Sequence, residues 1–166
     1  VRNGRGQVIE YQYDSWGRLR EKVVYRDRSE QEVQSWVRYW YADAEGRLER
    51  IEASNGWVVE YEYDGTVLGM VKLVRTKHRE AVVGEVEYVW EDGGLLYELQ
   101  VRGGGAAQRW RYRYNGMREL EYVYRLVAGE PGVVEVVYER DNYGRLWRVR
   151  YGNGTVVEYT YDGADR

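Results

Sequence analysis

Seven times along the chain, a short run alternates apolar and charged or polar residues, and this recurrence limits the fold more than any other feature. The copies are Ile9-Glu10-Tyr11-Gln12-Tyr13, Val37-Arg38-Tyr39-Trp40-Tyr41, Val59-Glu60-Tyr61-Glu62-Tyr63, Val86-Glu87-Tyr88-Val89-Trp90, Trp110-Arg111-Tyr112-Arg113-Tyr114, Val134-Glu135-Val136-Val137-Tyr138 and Val157-Glu158-Tyr159-Thr160-Tyr161. They start 22 to 28 residues apart, the spacing of a repeat architecture. A period of two means β-strands with one tyrosine-rich face and one charged face.

A second phrase follows the first. Asp14 to Leu19, Asp43 to Leu48 and Asp141 to Leu146 all read Asp-x-x-Gly-Arg-Leu. Asp opens a type I turn because its carboxylate accepts backbone N–H groups two residues on. Gly three places later supplies the left-handed residue that closes the turn as a G1 bulge, and Leu starts the return strand. Each repeat is therefore one β-hairpin. Asp64-Gly65, Asp92-Gly93-Gly94 and Asn115-Gly116 are looser copies of the turn.

At the other end of the return strands, Ser54-Asn55-Gly56 and Gly152-Asn153-Gly154 read as two-residue hairpin turns. Gly103-Gly104-Gly105 and Gly129-Glu130-Pro131-Gly132 mark further reversals. The return arms alternate less cleanly. Leu48 and Ile51 differ in parity, so the sequence leaves their faces open. Val67 to Val83 is the least regular stretch, and strands are expected there too. The reading is all-β: consecutive antiparallel hairpins in a curved, twisted ribbon. About 13 or 14 strands at roughly 4.8 Å each make a sheet about 60 to 65 Å wide, and sheets that wide curl.

Composition narrows the chemistry. The 166 residues suit one domain of consecutive repeats, 1–166. The net charge of −3 lacks the basic excess of a nucleic-acid binder. With no cysteine, disulfide scaffolds, thiol nucleophiles and cysteine–zinc sites are excluded. One histidine, His78, read as an exposed loop residue between Lys77 and Arg79, gives little material for metal clusters or Ser-His relays. No apolar run reaches the roughly 20 residues of a membrane span. The repeat pattern runs to both ends, so the chain reads as a segment of a longer protein whose localisation it does not itself reveal.

Tyr13-Asp14-Ser15-Trp16-Gly17-Arg18-Leu19 resembles the YD repeat of the RHS family. Tyr41, Asp43, Gly46, Arg47 and Leu48 carry the same phrase with one insertion, and Tyr138, Asp141, Gly144, Arg145 and Leu146 with two. Tyr63-Asp64 and Tyr161-Asp162 keep its first half. The resemblance implies a piece of a hairpin shell from a secreted or cell-surface bacterial protein, either a polymorphic toxin or a toxin-complex subunit. Teneurins carry similar repeats. In the parent, such a shell encloses or displays another domain, and its partners are the neighbouring YD-repeat segments. Relatives that release a toxic domain cut themselves at paired Asp-Pro-x-Gly segments. No Asp-Pro occurs here, so that site is not carried over.

The implied role is structural and non-catalytic, with no cofactor. Two other readings compete with it. A glycan-binding surface would use the Tyr and Trp side chains, with Trp57 and Trp147 as its test residues. A glycosidase would need one carboxylate pair, whereas Glu10, Glu60, Glu87 and Glu158 recur at one strand position, as cross-strand partners for Arg would. The turn aspartates lack the dense spacing of a calcium loop. Finally, open strand edges near Val8 to Asp14 and Val156 to Asp162 predict a homodimer or small oligomer.

Overall fold

The computed structural model describes residues 6–26, 31–42, 46–65, 69–128 and 132–163. Among these residues the structure is thirteen β-strands and no helix, with neighbours in sequence pairing as neighbours in the sheet throughout. The chain divides into two compact units, Val1–Val86 and Glu87–Arg166. No helix is long and apolar enough to cross a membrane among the described residues.

The first unit holds β1 (Val8–Tyr13), β2 (Leu19–Tyr25), β3 (Val33–Tyr41), β4 (Leu48–Ala53), β5 (Trp57–Tyr63), β6 (Val71–His78) and the start of β7 (Ala81–Trp90). On one face Tyr39 stands opposite Ile51, Ile51 opposite Val59, and Val59 opposite Thr76. On the other face the row is Trp40, Arg50, Glu60 and Arg75, each opposite the next. Alternating charge across strands is the sheet counterpart of helical ion-pair spacing. Val23 and Val58 are buried on this charged face, beneath the long stems of its neighbours.

The second unit completes β7 and adds β8 (Leu96–Arg102), β9 (Gln108–Tyr114), β10 (Leu120–Leu126), β11 (Val133–Arg140), β12 (Leu146–Tyr151) and β13 (Val156–Glu158). Glu98, Arg111 and Tyr124 form one row, and Glu139, Arg148 and Glu158 another. Val149, opposite Tyr138 and Val157, is the most buried apolar residue described.

The uneven return arms have a physical cause. Trp40 is opposite Arg50 while Tyr41 is opposite Leu48, so Glu49 is an extra residue in β4. The same bulge follows Leu19, Leu120 and Leu146. One extra residue flips parity. Leu48 and Ile51 therefore share the tyrosine face despite their odd spacing.

Two sequence expectations need correction here. His78 does not lie in a loop; it ends β6, half-buried and stacked on Trp57 at 4.7 Å between ring centroids. The turn that follows uses Arg79 and Glu80, both at positive φ (49° and 69°), so a two-residue hairpin forms with no Gly or Asn to announce it. Second, Ser54-Asn55-Gly56 and Gly152-Asn153-Gly154 are three-residue loops. Gly56 and Gly154 donate to Ala53 and Tyr151, and only the glycine, at φ 86° and 87°, is left-handed. Residues 103–107 form the expected connection between β8 and β9, while Gly129, Glu130 and Pro131 lie outside the described residues.

Candidate functional site

The residues of the repeated phrase converge on the turn edge of each hairpin. In the first hairpin, Asp14 Oδ1 accepts the N–H groups of Trp16 and Arg18 at 3.0 and 2.9 Å. Gly17, at φ 79°, donates to the Asp14 carbonyl. Asp14 Oδ2 holds the Arg18 guanidinium at 2.6 Å. The guanidinium lies between two rings, 4.7 Å from Trp16 in its own turn and 4.5 Å from Tyr41 in the next strand. Tyr41 in turn donates its hydroxyl to the carbonyl of Leu19 at 2.9 Å. Asp14, Arg18, Tyr41 and Leu19 thus form a brace joining one hairpin to the next.

The brace is repeated. Arg47 lies 4.8 Å from the Tyr63 ring, and Tyr63 donates to Leu48 at 2.6 Å. Arg145, held by Asp141, sits between Tyr143 and Tyr161, and Tyr161 donates to Leu146 at 2.5 Å. Asp64 Oδ1 accepts Met70 N–H at 3.0 Å in a longer turn. Gly46 and Gly144 are left-handed as expected. Tyr13 is exposed in β1, and Asp162 follows Tyr161 beyond β13. Asp43 lies outside the described residues.

Several members were missed by sequence reading. The frame of Asp141 places Arg140 where the other strands have tyrosine, so the phrase has no insertion there and Tyr138 is not its tyrosine. Asn115 takes the Asp place, accepting N–H from Met117 and Glu119 at 3.0 Å, and Arg118 takes the glycine place at φ 65°. Glu91 opens the turn closed by Gly94, and Tyr114 donates to Leu96 at 3.0 Å. Only alignment on the turn hydrogen bonds exposes these frames, because substitution has removed the letters.

Electrostatics favour the ionised braces. Desolvation raises the Asp14 and Asp141 carboxyls, but the hydrogen bonds from the following turn and its arginine outweigh it, leaving both below the ordinary carboxylate value. Burial pushes the Tyr63 phenol up against the opposing field of Arg47, and burial raises Tyr112 and Tyr114 likewise.

Three of the four recurring glutamates meet a cation across strands. Glu60 meets Lys77 at 2.8 Å with Arg50 and Arg75 nearby, and the Lys77 hydrogen bond holds its carboxyl low. Glu87 pairs with Arg102 and Glu158 with Arg148. Glu10 accepts the Tyr25 hydroxyl at 2.9 Å. Among the described residues no group of three His, Asp or Glu is placed to hold a metal. A depression of about 620 Å³ is lined by Trp40, Arg50 and the carboxylates Glu49, Glu52, Glu60 and Glu62. A trough of about 780 Å³ in the second unit runs past Tyr97, Arg111, Arg113 and Tyr124. Trp57 and Trp147 line neither. One ring face of Trp57 is stacked on His78, and Arg148 sits 4.1 Å from the Trp147 ring.

A sheet built of consecutive braced hairpins is the class of fold that the repeated phrase implied. The crystal structure of TcdB2-TccC3-TEV contains the same fold: it matches 97% of this chain and 9% of that chain at a TM-score of 0.75 and 15% identity. In sequence, the chain is 25% identical over 158 residues to the "Double-stranded DNA deaminase toxin A" of Burkholderia cenocepacia (strain H111), covering 85% of this chain and 11% of that protein. The chain thus spans about a tenth of the length of either protein. No family model matches it.

Proposed function

We propose that this chain is a structural, non-catalytic length of YD-repeat shell, belonging to a larger secreted or surface protein in which it encloses or displays another domain. The observation that carries the reading is the brace. The residues that repeat are spent on joining each hairpin to the next, through Arg18 with Tyr41, Arg47 with Tyr63, and Arg145 with Tyr161. The fold shared with TcdB2-TccC3-TEV supports it. The deaminase activity named for the Burkholderia toxin finds no cysteine zinc ligands in this segment. Zinc deaminases need such ligands.

Limited proteolysis of the full-length parent tests the proposal. An internal domain should resist protease in the wild type and become cleavable when Arg18→Ala and Arg145→Ala are combined. A parent with no shielded domain would rule out enclosure. On a glycan array the segment should bind nothing tighter than millimolar, whereas a specific hit lost in Trp57→Ala or Trp147→Ala would favour the carbohydrate reading. The isolated segment is also proposed to self-associate through the outer backbone edges of β1 and β13. Light scattering should then show a mass rising above 19.7 kDa with concentration.

A further inference from the structure

At four hairpin boundaries two positions are in contact: the residue after the left-handed turn residue, and the residue just before the next turn of the same edge. Three of these pairs set arginine against tyrosine: Arg18 with Tyr41, Arg47 with Tyr63, and Arg145 with Tyr161; where β8 adjoins β9 the first position, after left-handed Gly94, is Leu95 and the second is Tyr114. Between β10 and β11 the pair is Glu119 with Arg140, Oε2 to Nε at 3.1 Å. We infer that this pair of positions is an address that fixes which hairpin follows which, and that Glu119 and Arg140 carry a private address for the β9–β10 and β11–β12 hairpins.

Strand pairing alone discriminates poorly here. The phrases are so alike that a hairpin displaced by one repeat would still present its tyrosine and charged faces correctly. The address adds a penalty for displacement. Arg140 moved beside Arg18, Arg47 or Arg145 would meet like charge. A tyrosine moved beside Glu119 would turn the negative face of its ring toward a carboxylate. Specificity then comes from repulsion of wrong neighbours as much as from attraction of the right one.

The exchange extends back into the turn. The brace of the first hairpin runs from Asp14 to Arg18 to Tyr41. Here Asn115 replaces the aspartate, and its Nδ2 donates to Glu119 Oε2 at 2.9 Å, the same oxygen that meets Arg140. An aspartate at 115 would instead repel Glu119. Positions 115, 119 and 140 all differ from their counterparts in the first hairpin pair, and each is compatible with the next. Glu119 and Arg140 side chains are 30% and 26% exposed, so solvent screens the pair only partly.

The test uses the full 166-residue chain, whose lack of cysteine allows a clean cross-link. Cysteines placed at Val123 and Val136, directly opposite across β10 and β11, are oxidised during refolding, and the yield of intramolecular disulfide reports native hairpin order. Glu119→Arg should lower the ratio of that disulfide to all other products roughly five-fold, as a difference of about 1 kcal/mol would. Arg140→Glu should do the same. The reversed pair Glu119→Arg with Arg140→Glu should restore it, as should Asn115→Asp with Glu119→Arg and Arg140→Tyr, which rebuilds the common brace. Recovery by either combination is the expected result. An unchanged yield in the single variants, or recovery by neither combination, overturns the inference.

Discussion

Tyr41 donates its hydroxyl to the carbonyl of Leu19, 2.9 Å away in the preceding hairpin, while Arg18 of that hairpin lies over its ring at 4.5 Å. The tyrosine is fixed at both its polar and its aromatic end. This explains why a hydroxylated ring serves at this position: phenylalanine could offer Arg18 a π-face but leave the carbonyl without its donor.

Tyr63 in the second brace provides the direct measure. Tyr63→Phe should lower stability by about 1 kcal/mol, the ordinary net value of one hydrogen bond, read from urea midpoints. The same variant tests alkaline behaviour. Tyr63, Tyr112 and Tyr114 have raised phenol values, so the folded state holds their protons more tightly than the unfolded state. Their contribution is whole below the unfolded value of about 10 and is lost as pH rises through the folded values. Midpoints should fall above about pH 10, and less steeply in Tyr63→Phe.

On the acid side the sign is opposite. Asp14 and Asp141 titrate below their ordinary value when folded, so their contribution is present above about pH 4 and disappears as pH falls through the folded values. Asn115 already caps its turn through the same two N–H groups. Asp14→Asn with Asp141→Asn should therefore keep both turns yet flatten the acid limb of urea midpoints measured from about pH 5 to about pH 2. Asp14→Ala should be the more damaging change at neutral pH, because it removes the cap as well as the charge.

Glu98 is the one described acidic residue that is buried, 8% exposed, and it binds both Arg109 and Arg111. Desolvation raises its carboxyl, yet the two arginines together hold it low. Glu98→Ala should cost about 1–2 kcal/mol in denaturant melts. The arginines are 46% and 41% exposed, and water reaching them keeps the loss below that of a fully buried pair.

Two glycines separate strain from packing. A Cβ at Gly144 meets nothing within 4 Å, so Gly144→Ala should cost about 1 kcal/mol through its φ of 82° alone. A Cβ at Gly69 would overlap the Arg47 guanidinium, displacing it from Tyr63. Gly69→Ala should thus cost more than Gly144→Ala. In an Arg47→Ala background that excess should vanish in thermal melts, because the group being displaced is already gone.

The strand phrases and turn aspartates were legible in the sequence because their causes are local. Alternation at Val59 to Tyr63 needs only the pleat, and Asp14 caps N–H groups two and four residues away. The turn of Arg79 and Glu80 was not legible, since neither residue type favours positive φ and strand pairing on both sides imposes it. The faces of the return strands waited on the bulge beside Leu48, where a single extra residue reverses parity. The braces could not be read at all. Leu19 and Tyr41 are 22 positions apart, and Glu119 and Arg140 resemble neither Arg18 nor Tyr41. Sequence alone determined that this chain is a run of hairpins, because hydrogen bonding and side-chain alternation act over a few residues. Which side chains lock one hairpin to the next was decided only in the tertiary structure, where strand register brings distant positions within hydrogen-bonding distance.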